Sequence, residues 1–64
     1  MDPIDEGVLV SIAISGGCTP QSVSEMDRLV RLEQEGYVKA EPGPPITFAL
    51  TVEGRAVVEA KKGT

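Results

Sequence analysis

The chain has no histidine and no tryptophan, and cysteine, tyrosine and phenylalanine occur once each among its 64 residues. A lone Cys18 cannot form an intramolecular disulfide, which excludes a stapled secreted miniprotein. With no histidine and a single cysteine the usual zinc and iron–sulfur ligand sets are missing. The usual base for a serine or cysteine nucleophile is missing with them. Gly16-Gly17 lacks the glycine spacing and the lysine of a phosphate loop. We therefore expect no catalysis, no metal and no cofactor. The longest apolar stretch, Val8 to Ile14, is far too short to span a bilayer. Met1-Asp2-Pro3-Ile4-Asp5-Glu6 is acidic where a secretory leader would be basic. The expected location is the cytoplasm.

What is present is mostly aliphatic. Hydrophobic residues make up 41% of the chain, and Tyr37 and Phe48 are its only aromatics. A chain this short is one domain, residues 1–64, and buries only about 60% of the surface its unfolded form exposes. Large rings would have supplied much of the missing area. Two copies sharing a core would relieve the shortage, so a homodimer is expected. Ten acidic against six basic residues give a net charge of −4, which weighs against simple DNA binding because phosphate neutralisation supplies much of that affinity. The distribution is uneven. Asp2, Asp5 and Glu6 lie at the start, whereas Arg28, Arg31, Lys39, Arg55, Lys61 and Lys62 lie in the middle and at the end.

Along the chain, Asp5 to Ser15 fits two patterns. Val8, Val10, Ile12 and Ile14 alternate like a strand, while Ile4, Val8, Leu9, Ile12 and Ala13 share a helical face. Asp5 and Glu6 suit a helix N-terminus and Gly16-Gly17 a helix stop, which favours helix. A second helix starts either at Thr19, with Pro20 in its first turn, or at Ser22, where Ser22 and Glu25 have capping-box spacing. Val23, Met26, Leu29, Val30 and Leu32 form its apolar stripe, and Gly36 suits the left-handed position that ends it. Tyr37–Ala40 and Ile46–Leu50 read as strands joined by the rigid turn Glu41-Pro42-Gly43-Pro44-Pro45, an antiparallel hairpin. Thr51 caps a last helix with Val52, Ala56, Val57 and Ala60 facing inward and Lys61 and Lys62 at its end.

The run Leu29-Val30-Arg31-Leu32-Glu33-Gln34-Glu35-Gly36-Tyr37-Val38 resembles the recognition-helix end and first wing strand of small winged-helix regulators, such as the MarR-like and PadR-like groups. Phe48-Ala49-Leu50-Thr51-Val52-Glu53-Gly54-Arg55 resembles their second wing strand and closing helix. The likeness covers roughly residues 22 to 60 and implies an α+β winged-helix fold of helix, helix, hairpin, helix. It departs from those families between the first helix and the recognition helix, where Gly16 to Gln21 leave room for a single turn in place of a whole helix. That missing helix normally crosses the phosphate backbone and braces its neighbour.

The resemblance implies a DNA-binding transcriptional regulator whose recognition helix, residues 22–35, enters the major groove of double-stranded DNA. Gln21, Ser22, Ser24, Asp27, Arg28 and Arg31 would then face base edges or phosphate, with Lys39 as the only cation of the wing. The plainer reading is that Ser22 only caps the helix and that Arg28 and Arg31 are solvated or pair with Glu25, Asp27 and Glu35. A protein-interaction or assembly module on the same scaffold, without nucleic-acid binding, is the alternative. It is favoured by the acidic balance and by a wing with Glu41 and prolines at its tip. The expected homodimer would form through the terminal helices, burying the part of Val8, Ile12, Val57 and Val58 that one chain cannot cover.

Overall fold

The structure, a computed structural model, describes residues 1–62. The elements follow in the order α1 (Pro3–Ser15), α2 (Val23–Gln34), β1 (Val38–Glu41), β2 (Thr47–Leu50) and α3 (Val52–Lys62). This is a small α+β fold of three helices and one antiparallel hairpin, with Val38 opposite Leu50 and Glu41 opposite Thr47. Among the described residues no helix is long and apolar enough to cross a membrane.

Local chemistry accounts for each boundary. Helix α1 begins earlier than the expected Asp5. Asp2 caps it, its carboxylate accepting a hydrogen bond from the Ile4 amide at 2.8 Å, and Pro3 occupies the first turn. This start decides the ambiguous Val8–Ile14 segment for helix, because the chain is already wound when it reaches the alternating residues. Helix α2 begins at Ser22, not at Thr19. The Ser22 hydroxyl accepts from the Glu25 amide at 3.1 Å, and the Glu25 carboxylate reaches back to the Gln21 amide at 3.3 Å. The box is thus closed one residue beyond its usual partner. The strands begin one residue later than expected, at Val38 and Thr47.

Seven side chains form the buried core: Leu9 and Ile12 of α1, Leu29 and Leu32 of α2, Val38, Phe48 and Val58. Three expectations are corrected here. Val23 and Val30 of the α2 stripe are exposed, so Met26, Leu29 and Leu32 carry the contact with the core. In α3 the buried positions are Gly54 and Val58, while Val52 is 82% exposed and Ala56 and Ala60 face solvent. And Ile12 and Val58 are buried within one chain, with Val8 and Val57 half-buried. Two of the four residues expected at a dimer interface are thus covered by the chain itself, and Val8 and Val57 keep part of their surface exposed.

The phase of α3 is set by one close approach. A Cβ built on Gly54 would clash with the Tyr37 carbonyl oxygen, a backbone atom that cannot swing aside. Gly54 therefore has to be glycine, and the helix turns that face, not the Val52 face, toward the hairpin. Tyr37 follows Gly36, which has φ +90 and ends α2 in the left-handed conformation that glycine tolerates best. The Thr51 hydroxyl donates to the Gly36 carbonyl at 2.5 Å and accepts from the Gly54 amide at 3.1 Å. The Thr51 amide donates to the Tyr37 carbonyl at 3.1 Å. The end of α2 and the start of α3 are tied at a single point.

A third extended segment joins the hairpin. The Cys18 amide donates to the Phe48 carbonyl at 2.9 Å, and the Phe48 amide donates back to the Cys18 carbonyl at 2.8 Å. The link between α1 and α2 is thereby pinned to β2.

Two glycine substitutions test this packing in opposite directions. Gly54→Ala should lose about 3 kcal/mol in urea unfolding, because backbone must move to admit the methyl group. Gly7 lies in α1, and a Cβ added there meets no atom within 4 Å. Gly7→Ala should therefore gain about 0.5–1 kcal/mol from helix propensity. Equal and small effects at the two sites would contradict the close approach.

Candidate interface

The seven residues expected to face DNA do not form one free surface. Gln21, Ser22 and Ser24 lie together at the exposed N-terminal end of α2. Ser22 is engaged as the cap, and the Gln21 side-chain amide donates to the Thr19 carbonyl at 3.2 Å. Lys39 is exposed on β1, opposite Ala49. Arg28 and Arg31, one turn apart on α2, point elsewhere.

Both arginines converge on α1. Arg28 Nη1 donates to Asp5 Oδ1 at 2.8 Å, and Arg31 Nη2 lies 3.6 Å from the same oxygen. Among the described residues Asp5 is the one charged group that is buried, 8% exposed. A carboxylate removed from water in this way requires a charged, hydrogen-bonded partner, and Arg28 supplies it. The pairing with Glu25, Asp27 and Glu35 expected from helical spacing is replaced by a bridge between helices. No sequence pattern announces it, since Asp5 and Arg28 are 23 positions apart. The one signal in the sequence is the excess of acid at the N-terminus, and helix-end electrostatics accounts for that excess equally well.

The exposed side of α2 is left acidic. Asp27, Glu33 and Glu35 face solvent, and Glu33 Oε2 accepts from the Ala40 amide at 3.3 Å, covering part of the hairpin edge. Against these acids the exposed side of the helix sets Arg31 alone.

Beside the ion pair runs a groove of about 620 Å³ between α1 and α2. Its α1 wall is Ile4, Gly7, Val8 and Ser11, positions that share one face of a helix at 3.6 residues per turn. Cys18 and Leu29 complete the apolar lining, and Glu25 and Arg28 stand along the α2 side. The Cys18 thiol is pushed above its ordinary pKa, first by burial and then by the nearby Glu25 carboxylate. It is therefore a protonated, weakly nucleophilic group at neutral pH and belongs to the apolar lining. Among the described residues no three of the Cys, Asp and Glu side chains are grouped to hold a metal ion.

No protein-family model matches the chain, and no curated protein or solved structure matches it.

The ion pair gives a direct expectation. Asp5→Ala leaves Arg28 half-enclosed without its acceptor and should lower stability by about 1–3 kcal/mol in thermal or urea unfolding. A loss below about 0.5 kcal/mol, the level of an ordinary surface change, would mean that the bridge contributes nothing in solution.

Proposed function

We propose that this chain is a non-catalytic protein-interaction module built on a winged-helix arrangement. Support for the arrangement comes from the order helix, helix, hairpin, helix, with Cys18 adding a third extended segment beside β2. The observation that carries the interaction reading is the engagement of Arg28 and Arg31 by Asp5. Those two side chains are the main source of positive charge for a recognition helix, and their partner already neutralises one of them. What α2 offers to a phosphate backbone is Asp27, Glu33 and Glu35, which repel it. The turn Glu41 to Pro45 adds a carboxylate and no cation.

Duplex DNA is the second reading, favoured by the exposed side chains of Gln21 and Ser24 at the front of α2 and by Lys39 on the hairpin. One titration separates the two. A random-sequence duplex pool, titrated at low and then moderate salt, should give no binding that survives the salt increase. Arg31→Ala should leave that result unchanged. A specific complex whose affinity falls steeply with salt and weakens in Arg31→Ala would overturn the interaction reading in favour of DNA.

A further inference from the structure

We propose that the groove between α1 and α2 receives an amphipathic helix of a partner protein, one whose apolar stripe is flanked by lysine or arginine. The inference rests on the interaction-module reading and names its surface and the chemistry of its partner.

The first ground is the composition of α1. From Gly7 to Ser15 this helix carries no charged residue. One side of it, Leu9 and Ile12, is buried in the core. Another side, Ile4, Gly7, Val8 and Ser11, lines the groove, and Ile4 is 60% exposed there. A helix that is apolar around most of its circumference belongs in an interior with cover on both sides, and within one chain only the core side is covered. The lined face extends from Ile4 to Ser11, eight residues, roughly 10 Å or two helical turns. That length matches the i, i+3, i+4, i+7 anchors of a helix laid into an apolar groove.

Gly7 is the second ground. Glycine in a helix interior costs stability relative to alanine, and at Gly54 a backbone contact explains the cost. At Gly7 nothing among the described residues does, since a Cβ there would meet no atom within 4 Å. The missing side chain leaves the middle of the groove wall low, where another backbone can come close.

Charge selects the occupant. Two ionised side chains line the groove, Glu25 and Arg28. Arg28 is balanced by Asp5, whereas Glu25 accepts a hydrogen bond from the Gln21 amide but has no ion-pair partner among the described residues. A second copy docked through its own α1 is poorly matched: it also carries net −4, and that helix has no lysine or arginine to bring to Glu25. A helix with basic residues beside its apolar stripe satisfies both the lining and the carboxylate. A small polar ligand would find few convergent donors or acceptors here.

The test uses the full-length, isotope-labelled chain and a synthetic leucine/lysine amphipathic peptide of about four helical turns. A leucine/glutamate peptide of the same pattern is the control. Amide shifts should change at Ile4, Gly7, Val8, Ser11, Cys18 and Glu25, and the glutamate peptide should bind more weakly. Gly7→Leu puts a side chain into the groove at a position where an added Cβ meets no atom within 4 Å, and its own spectrum reports whether it is folded. It should weaken the lysine peptide at least about tenfold, the effect of losing one or two buried aliphatic contacts. Glu25→Gln should weaken it by a smaller factor. Absence of shifts at millimolar peptide, shifts on another surface, or equal affinity in Gly7→Leu would each overturn the groove while leaving an interaction module elsewhere on the chain. Dimerisation abolished by Gly7→Leu would give the groove to a second copy and overturn the basic partner. Steeply salt-dependent duplex binding would instead remove the underlying reading.

Discussion

The junction of Gly36 and Tyr37 with Thr51 and Gly54 is the constraint on which the other elements depend. At Gly36 the chain leaves α2 with a positive φ, which turns it back along the core. One residue later the Tyr37 amide donates to the Leu32 carbonyl, so that the turn closes on its own helix. The Tyr37 carbonyl then receives the Thr51 amide, and the Thr51 hydroxyl receives the Gly54 amide. Tyr37 and Thr51 directly precede and follow the paired residues Val38 and Leu50. The hairpin register and the direction of α3 are therefore decided together. With α3 fixed, Val58 reaches the core beside Leu9 and Ile12, and α1 has a surface to pack on. A chain with two aromatics and a small core relies on such convergence, because Phe48 is the one aromatic side chain of that core.

That junction also separates what is legible in the sequence from what is not. Ser22 with Glu25, Gly36, the prolines of the turn and Thr51 each act within a few residues, and the elements they imply are present in the expected order. Local signals of this kind depend on hydrogen bonds that the segment makes with itself. The errors arise where a distant atom decides. The Tyr37 carbonyl rotates α3 away from Val52 and Ala56 toward Gly54 and Val58. The Phe48 backbone recruits Cys18 into an extended pair that no alternation of apolar residues could announce. Asp5 has the position of a helix-end charge, yet it is a buried acceptor for Arg28 because α2 comes within reach of it.

The same carboxylate shapes the functional reading. Arg28 and Arg31 stand out by their place on a helix that resembles a recognition helix, and residue type and spacing are sound signals for that role. What spacing cannot give is whether an arginine is already engaged. Here it is, and the electrostatic character of α2 changes with it, from a helix with two free cations to one whose exposed side is mainly acidic. The apolar wall of α1 beside that ion pair then becomes the most distinctive surface of the molecule. Its charge-free stretch is too short to span a membrane, but it is long enough to seat a partner helix.

Native-state hydrogen exchange tests the central constraint most directly. If the junction holds the fold together, the amides of Tyr37, Thr51 and Gly54 open only with the whole molecule. They should then exchange with the same free energy as the core helix amides of Ile12 and Leu32. Exchange of Thr51 and Gly54 at a distinctly lower free energy, with Ile12 and Leu32 still protected, would mean that α3 detaches from an intact core. That result would contradict the account.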